Sequence, residues 1–438
     1  MRIAVFGTGY LGATHAACMA ELGHEVIGVD VDPDKVARLQ SGEAPFFEPG
    51  LSELLERHTA SGRLRFTSSY ELAAQSADVH FIAVGTPQRP DSPAADLSQV
   101  DAVVEALAPL LTRPAVVFGK STVPVGTAAR IAERLQALAP SPDVSLAWNP
   151  EFLRESTAVD DTLSPDRIVL GIGSGDPKRI EAVTREVYAR SLAEGTPLVI
   201  TDLATAELTK VAANSFLATK ISFINSVAEV CDAVDADVAV LADAIGLDDR
   251  IGRRFLNAGV GFGGACLPKD VRAFQTRAAE LGASSAVRLL ADVEWINSRQ
   301  RTRVATMALD ACRGIDKPRV AVLGLTFKPE SDDVRDSPAL DVASRLAAAG
   351  VAVQTWDPHG MDNAERLYPE LEYGNSLLDA CKAADVLLVM TEWDEFRRLD
   401  PHELAGIVQE RVVIDARNCL DPAAWREAGW TYRAIGRR

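Results

Sequence analysis

The 438-residue chain is poor in cysteine, and its cysteines form none of the spacing patterns typical of metal sites or of small disulfide-linked domains. Six are present, at positions 18, 231, 266, 312, 381 and 419, and no two of them make a CxxC pair. This spacing argues against a disulfide-rich scaffold and gives no reason to expect a bound metal. Long apolar runs are also missing, because none reaches the roughly 18 residues that a membrane-spanning helix needs.

Positive charge is scarce as well. Lysine and arginine total 45 against 62 aspartates and glutamates, so the formal net charge is -17 at pH 7. A molecule this acidic repels nucleic-acid backbones and anionic lipid surfaces, and we expect neither as a partner. The opening segment MRIAVFGTGY lacks a basic leader followed by an apolar stretch, so we expect a cytoplasmic enzyme or binding protein.

What is present is a regular alternation of short β-branched segments with helical patterns, which is typical of an α/β fold with parallel sheets. A stretch without proline or glycine, residues 203–238, interrupts it and predicts one long helix. We therefore predict two Rossmann-like doubly wound domains joined by a long central helix and a small helical domain, with bounds 1–198, 199–300 and 301–438. The predicted strands are 2–7, 25–30, 78–85, 115–121 and 144–149, then 319–324, 351–357, 385–390 and 412–417.

A glycine-rich turn follows the first predicted strand. Gly7, Gly9 and Gly12 form a GxGxxG pattern, and Asp30 closes the second predicted strand. In dinucleotide-binding proteins such glycines let the backbone approach a pyrophosphate at a helix N-terminus, and the acid binds the adenosine ribose. A carboxylate at Asp30 repels a 2'-phosphate, which favours NAD over NADP. The alternative is a tight strand-to-helix turn that binds no ligand. Lys35, shortly after Asp30, could contact the same ribose or could be a solvated helix lysine.

A second glycine-rich segment, GVGFGGACLPKD at 259–270, ends in a predicted helix start. Pro268 suits the first turn of that helix and Gly282 suits its end. Cys266 would precede the helix beside Lys269, a setting that favours a nucleophilic thiolate. The alternative is a small buried apolar side chain, which is the usual role of an unbridged cysteine.

A nucleophilic cysteine near an NAD site narrows the chemistry. Oxidation of an alcohol to an aldehyde needs no sulfur, whereas a thiolate can trap the aldehyde and carry it through a thioester to a carboxylate. Lys210 and Asn214, four residues apart on the predicted long helix, share one face of it. The alternative for Lys210 is a surface lysine whose stem lies along apolar side chains.

Together these motifs resemble the UDP-glucose/GDP-mannose dehydrogenase family nearly end to end, and most closely its members that act on UDP-glucose. Ser156 departs from the glycine common in the family at that position. The segments that carry the resemblance are GTGYLG (7–12), EPGL (48–51), VGTP (84–87), KSTVPVGT (120–127), NPEFLRES (149–156), KVAANSFLATKISFINSVAEVCD (210–232), the cysteine motif and GLTFKPESDDVRDSPA (324–339).

The resemblance implies oxidation of the 6-hydroxymethyl group of UDP-glucose to a carboxylate, with two NAD reduced. It implies catalytic roles for Cys266, Lys210, Asn214, Asp270, Thr122 and Glu151. It places the cofactor against Gly7, Gly9, Tyr10, Leu11, Gly12, Asp30, Lys35, Gly85, Thr86, Thr122, Glu155, Lys269 and Arg335. It places the sugar nucleotide against Glu151, Phe152, Leu153, Arg154, Glu155, Lys210, Asn214, Arg250, Phe255, Leu256, Asn257, Ala258, Gly259, Gly263, Lys328 and Arg417.

Several alternatives stay open. The same chemistry could act on UDP-N-acetylmannosamine or GDP-mannose. A two-electron hydroxyacid dehydrogenase would share the layout but leave Cys266 without a role, and a binding module would share the NAD site. The apolar face of the long helix must be buried against something, so we expect a homodimer formed through the central helix. The resemblance implies that Arg250 is supplied to the partner's site.

Overall fold

A computed structural model of the chain describes residues 1–437 and divides into two compact units. The first comprises Met1–Ala213 together with Arg272–Arg277, and the second comprises Asn214–Val271 and the chain from Ala278 onward. The division into three domains at 198 and 300 stays a prediction. Within residues 1–437, no helix is long and apolar enough to cross a membrane, and no cluster of histidine, cysteine and acidic residues could hold a metal ion.

The first unit is built on an eight-stranded sheet with the order β3-β2-β1-β4-β5-β6-β7-β8. The first six strands of that order are parallel, β7 is antiparallel to β6, and β8 is parallel to β7. All five predicted strands are present, and β3, β7 and β8 were not predicted. The strands are β1 (Arg2–Phe6), β2 (Glu25–Val29), β3 (Leu64–Thr67), β4 (Val79–Ile82), β5 (Ala115–Gly119), β6 (Val144–Trp148), β7 (Ile168–Ile172) and β8 (Leu198–Asp202).

Helices cover both faces of this sheet. Successive residues of β1 show it, because Ile3 and Val5 belong to one buried cluster while Ala4 and Phe6 belong to another. Side chains alternate between the two faces of a strand, so both faces are buried, as in doubly wound folds. The helices are α1 (Tyr10–Glu21), α2 (Pro33–Gln40), α3 (Leu51–Ala60), α4 (Tyr70–Ser76), α5 (Ser98–Leu107), α6 (Thr127–Leu138), α7 (Ala158–Leu163), α8 (Pro177–Val187) and α9 (Ala189–Ala193).

The predicted long helix is present as α10 (Leu203–Val234), 32 residues long. It ends four residues before the predicted limit because Asp235 adopts a left-handed backbone conformation, with φ 62°. A separate helix, α11 (Val238–Gly246), follows, and the side chain of Asp237 accepts hydrogen bonds from its first amides. Asp237 therefore caps a new helix rather than extending the long one.

The second unit contains a six-stranded parallel sheet with the order β11-β10-β9-β12-β13-β14. This is the order 3-2-1-4-5-6 that the first six strands of the other sheet also follow, so both α/β parts are Rossmann-like, as predicted. The strands are β9 (Arg319–Leu323), β10 (Ala352–Trp356), β11 (Glu372–Tyr373), β12 (Val386–Val389), β13 (Val412–Asp415) and β14 (Thr431–Ala434). The remaining helices are α12 (Leu267–Glu280), α13 (Leu289–Ala311), α14 (Pro338–Ala348), α15 (Met361–Leu367), α16 (Leu377–Cys381), α17 (Asp394–Arg397), α18 (Pro401–Leu404) and α19 (Pro422–Glu427).

The second sheet has an aspartate at the position that corresponds to Asp30, after its second strand in chain order, but the carboxylate of this aspartate makes different contacts. Asp357 follows β10, and its carboxylate accepts hydrogen bonds from the amides of Leu325 and Thr326 and from the indole of Trp393. Asp357 is 1% exposed, so this acid is committed to internal contacts. The second sheet therefore does not offer a ribose-binding carboxylate of the kind that Asp30 provides.

Candidate active site

The glycine turn after β1 has the geometry that a dinucleotide needs. Gly7 has φ 89°, and a Cβ on it would lie 2.6 Å from a methyl carbon of Val84. A Cβ on Gly12 would lie 1.8 Å from the carbonyl oxygen of Gly7. A Cβ on Gly9, in contrast, would meet no atom of the described residues within 4 Å. The turn is thus closely packed at Gly7 and Gly12 and open at Gly9, immediately before α1, where a phosphate can approach the helix N-terminus.

Asp30 lies beside this turn and is held as an anion. Its Oδ2 atom accepts hydrogen bonds from the amide of Thr8 at 2.9 Å, from the Thr8 hydroxyl at 2.8 Å and from Lys35 Nζ at 3.1 Å. Burial raises the pKa of Asp30, but the hydrogen bonds from Thr8, Asp32 and Lys35 outweigh it and hold that pKa below its ordinary value. An ionised acid here can accept from ribose hydroxyls and repels a 2'-phosphate.

A buried ion pair joins the segment after β6 to the long helix. Lys210 Nζ donates to Glu151 Oε1 at 2.9 Å, and the two side chains are 5% and 9% exposed. Glu151 Oε2 also accepts from the amide of Leu153 at 2.7 Å. Lys210 Nζ lies 5.6 Å from the ring centroid of Phe152, and the Arg167 guanidinium stacks on the same ring at 3.9 Å. Lys210 is therefore buried beside a carboxylate, and the alternative of a surface lysine is wrong.

A second buried carboxylate belongs to the cysteine motif. Asp270 is 2% exposed, and it accepts from Asn214 Nδ2 at 2.7 Å and from Lys269 Nζ at 2.5 Å. Cys266 is exposed and immediately precedes α12, where its carbonyl oxygen accepts from the amide of Asp270 at 3.0 Å. The predicted helix start is confirmed, and Gly282 has φ 75° just beyond the helix end. The thiol therefore lies at a helix N-terminus one turn from a fixed carboxylate, and the alternative of a buried Cys266 is wrong.

The glycine segment before Cys266 is held by hydrogen bonds to its backbone. The amide of Gly259 donates to Asn225 Oδ1 at 2.8 Å, and the amide of Gly264 donates to the carbonyl of Arg335 at 2.9 Å. A Cβ on Gly263 would lie 2.3 Å from the carbonyl oxygen of Asp336. The segment thus needs glycine for packing, and it presents an ordered backbone up to the cysteine.

Three family models match the chain along most of its length. Their descriptions are the NAD binding domain, the central domain and the UDP binding domain of the UDP-glucose/GDP-mannose dehydrogenase family, and they match residues 1–192, 204–299 and 321–422. The UDP-glucose 6-dehydrogenase of Rhizobium meliloti is 42% identical over 438 residues, with 100% of both chains covered. The chain belongs to the UDP-glucose/GDP-mannose dehydrogenase family. It carries that family's NAD-binding and UDP-binding domains.

Solved structures agree with this family assignment. A UDP-glucose dehydrogenase from the archaeon Pyrobaculum islandicum aligns with a TM-score of 0.91 at 37% identity, covering 100% of this chain and 98% of that one. A UDP-D-ManNAc dehydrogenase from Pyrococcus horikoshii aligns with a TM-score of 0.85 at 26% identity, covering 100% and 99%. The fold is therefore shared by family members whose names give different sugars.

The other residues to which the family resemblance gives roles differ in their surroundings. Thr86 is buried and its hydroxyl donates to the carbonyl of Thr122 at 2.7 Å. Arg250 and Arg335 are exposed, and each pairs with an acid two residues before it, Asp248 and Asp333. Such pairs in solvent are weak and can exchange for a ligand phosphate or carboxylate.

Arg417 has a different environment, because its side chain is 14% exposed. It donates to the backbone carbonyls of Met390 at 2.8 Å, Gly261 at 3.0 Å and Phe327 at 3.2 Å. Those contacts anchor the glycine segment, so its contact with the sugar nucleotide stays a prediction. Phe255, in the same predicted binding stretch, has a left-handed backbone with φ 66°, which is uncommon for a bulky residue.

Glu48 is a buried residue whose position the sequence did not predict. Its carboxylate accepts from the amides of Ser156 at 2.7 Å and Ala158 at 2.6 Å, and from the hydroxyl of Tyr10. Ser156 has φ 66°, so the departure from glycine at this position retains the left-handed backbone. Glu48 therefore fixes the end of the segment that carries Glu151 and Glu155, and the EPGL motif is the sequence signal that contains it.

Proposed function

We propose that this protein oxidises the 6-hydroxymethyl group of UDP-glucose to a carboxylate, giving UDP-glucuronate with the reduction of two NAD. The observation that supports it most is the exposed Cys266 at the start of α12, one turn from Asp270, which Asn214 holds. A chain that needed only alcohol dehydrogenation would not require this thiol. The turn of Gly7, Gly9 and Gly12 would bind NAD, and the family's UDP binding domain would bind the sugar nucleotide.

The proposed reaction has three stages on one substrate. The turn of Gly7, Gly9 and Gly12 and the carboxylate of Asp30 would hold NAD, which would supply the hydride acceptor for both oxidations at C6. Between them, the Cys266 thiolate adds to the aldehyde carbon and forms a thiohemiacetal, whose oxidation leaves a thioester. Water then cleaves the thioester, giving the carboxylate and returning the thiol. Two oxidations of two electrons each account for the four electrons removed from the alcohol.

The described side chains suit the negative charge that would develop on the oxygen at C6 during the reaction. Lys210 is a buried donor that can stabilise an alkoxide or a tetrahedral oxyanion, and it already binds Glu151. Glu151 and Thr122 would take part in proton transfer, and Asp270 would orient the attacking water. Asn214 fixes the Asp270 carboxylate by a hydrogen bond of 2.7 Å, so its amide has a positioning role besides any contact with the sugar.

Product stoichiometry is the most direct test. Complete conversion of a limiting amount of UDP-glucose is expected to yield two NADH and one carboxylate per sugar, measured by absorbance and mass spectrometry. GDP-mannose and UDP-N-acetylmannosamine, assayed in parallel, are expected to react far more slowly. A ratio near one NADH would contradict the thioester route and favour a two-electron dehydrogenase. A faster rate with another sugar would reassign the substrate and keep the chemistry.

We also propose that two copies associate through α10. Phe216, Phe223 and Val230 recur at intervals of seven residues on this helix and are 65%, 53% and 61% exposed. Equal spacing puts them on one stripe, and a stripe of this kind on one helix can pack against the same stripe of a second copy. Arg250, 89% exposed on its side chain, fits the role of a residue supplied to the partner's site.

We further propose that the protein works in the cytoplasm, because the exposed thiol nucleophile Cys266 fits a reducing compartment.

Light scattering of the purified protein tests the association of two copies through α10. We expect the mass of a dimer for the wild-type protein and a shift toward the monomer for Phe223→Asp, because the new charge would lie in the apolar stripe. Leu367→Asp, which changes an exposed leucine on α15, is the matched control and should remain a dimer. A monomeric wild-type protein at micromolar concentration would refute the proposal.

A further inference from the structure

The turn that carries Arg250 is an ordered part of the second unit. After α11, the amides of Ile251 and Gly252 donate to the carbonyl of Asp248 at 2.8 and 2.9 Å. The Asp248 carboxylate accepts from the amide of Arg250 at 3.0 Å and from its guanidinium at 2.6 Å. Gly252 has φ 67°, a conformation that glycine adopts without strain. The backbone of residues 248–252, which we call the arginine turn, therefore has a defined shape that presents Arg250.

The outer surface of the arginine turn is exposed and partly apolar. Leu247 is 86% exposed and Ile251 is 44% exposed, and the Arg250 side chain between them is also exposed. An arginine flanked by exposed apolar side chains is more typical of a protein–protein contact than of a solvated loop. This surface therefore suits the second copy of the chain that we propose to pack against α10.

Lys220 joins the arginine turn to α10. Its Nζ donates to the carbonyl oxygens of Ile251 and Gly252, each at 3.0 Å. Hydrogen bonds from an ammonium group are stronger than those between neutral groups, so this one side chain fixes two consecutive peptide groups directly after Arg250. Lys220 is partly buried and lies on a helix of 32 residues, which gives the turn a rigid support.

Lys220 also lies among the apolar side chains of the stripe on α10. It is four residues after Phe216 and three before Phe223, and residues at these spacings are neighbours on one face of a helix. A single side chain therefore connects the stripe to the arginine turn. A second copy that packs on the stripe contacts α10 at the point where Lys220 holds the turn.

The segment that follows the arginine turn is held by a different cation. Arg253 donates to Asp243 on α11, to the carbonyl of Leu256 at 3.2 Å and to Asn257 Oδ1 at 2.7 Å. These contacts fix the stretch predicted to bind the sugar nucleotide. Lys220 and Arg253 thus act on neighbouring but separate parts of the chain, and the contacts of Lys220 concern the turn that presents Arg250.

We propose that Lys220 is a positioning residue that holds Arg250 for the active site of the partner copy. Lys220 makes no contact with the substrate in this role. It fixes the turn from which Arg250 extends, so that each of two copies joined through α10 supplies a preorganised Arg250 to the sugar nucleotide bound by the other. This inference rests on the proposed function and on the proposed association, because Arg250 needs both to reach a substrate.

The first test compares the steady-state kinetics of Lys220→Met with those of the wild-type protein. Without the two carbonyl contacts, Arg250 must be ordered when the substrate binds, so KM for UDP-glucose should rise by about tenfold while kcat falls by a smaller factor. Lys220→Arg retains donors for both carbonyls and should keep KM within about twofold of the wild-type value. Lys382→Met, at an exposed lysine of the second unit, is the matched control and should change neither quantity.

Mixed dimers test whether Lys220 acts on the partner's site. Copies carrying Lys220→Met and copies carrying Cys266→Ala, produced together with two different affinity tags, give a dimer in which Cys266 is intact only in the Lys220→Met copy. That site receives Arg250 from the Cys266→Ala copy, where Lys220 is intact. Its KM should therefore return to the wild-type value, with kcat per dimer about half that of the wild-type dimer. A mixed dimer of Arg250→Gln and Cys266→Ala should behave in the same way.

Three results would overturn the proposal. An unchanged KM in Lys220→Met would show that Arg250 does not need this support, and a mixed dimer that keeps the raised KM would show that Lys220 acts within its own copy. A Lys220→Met protein that light scattering shows to be monomeric would attribute the kinetics to lost association. If Lys220→Met does not fold, Lys220→Gln serves for the same comparisons, since its amide is uncharged and shorter.

A double variant separates this role from a general structural one. Lys220→Met combined with Arg250→Gln should have the KM of Arg250→Gln alone, because Lys220 acts through Arg250, and additive effects would contradict the proposal. Failure of the proposed function would appear elsewhere, in the wild-type protein and in the Cys266→Ala dimer, where Lys220 and Arg250 are both intact. If the wild-type protein prefers another nucleotide sugar, the same comparisons apply with KM measured for that sugar.

Discussion

Cys266→Ala is expected to abolish carboxylate formation from UDP-glucose, with kcat reduced by about 10⁴-fold or more. Alanine has no lone pair with which to trap the aldehyde, so neither the thiohemiacetal nor the thioester can form. Binding of NAD should be preserved, because the glycine turn and Asp30 belong to the other structural unit. The measurement is carboxylate production followed by mass spectrometry, together with NADH formation under single-turnover conditions.

Two further variants sharpen this result. Cys381→Ala changes a buried cysteine on α16 and should retain carboxylate formation, which controls for the general effect of losing a thiol. Cys266→Ser retains a weaker nucleophile whose ester is cleaved slowly, so it should accumulate a covalent adduct detectable in the intact protein. Production of the acid by Cys266→Ala at an undiminished rate would rule out covalent catalysis by this residue.

Lys210→Met is expected to lower kcat by about 10³-fold, the loss typical of removing one well-placed oxyanion donor. It would also leave Glu151 buried without its ion-pair partner at 2.9 Å, which costs about 3–5 kcal/mol in other buried pairs. The variant should therefore unfold at a lower temperature as well. Steady-state kinetics and thermal unfolding, measured on the same preparation, give both effects.

The control for Lys210 is Lys178→Met, which removes an exposed lysine near the start of α8 and should change neither quantity. A Lys210→Met variant as stable as the wild-type protein would contradict the buried ion pair of Lys210 with Glu151. Unchanged kcat would remove Lys210 from the reaction.

Local features of the site were predictable from the sequence because they depend on neighbours along the chain. Gly7, Gly9 and Gly12 follow a strand and open a helix, and Cys266 precedes a helix that Pro268 helps to start. Each of these statements needs a window of only a few residues. The parallel sheets followed in the same way from alternating strand and helix patterns. The strands β3, β7, β8, β11 and β14 were not predicted, and β11, with two residues, is too short to show an alternating pattern.

Contacts between distant segments could not be predicted in this way. Glu48 binds the amides of Ser156 and Ala158, more than 100 residues away, and no local pattern encodes that distance. The burial of Lys120 likewise depends on Asn149 and Tyr188, which belong to later segments. The long helix was predicted correctly up to Val234. Its end was not predicted, because the residue in the left-handed conformation there is Asp235 and not the glycine that usually marks a helix end.

The non-contiguous make-up of the first unit has a consequence for how the chain folds. Its last piece, Arg272–Arg277, comes after the intervening segment Asn214–Val271. Arg277 donates to the carbonyl of Val125 at 2.9 Å, and Arg272 to Gln88 at 3.4 Å. During synthesis, a nascent chain that has emerged only to residue 213 therefore still lacks these contacts. We expect limited proteolysis of ribosome-bound chains to show full protection of residues 1–213 only once residue 277 has left the exit tunnel.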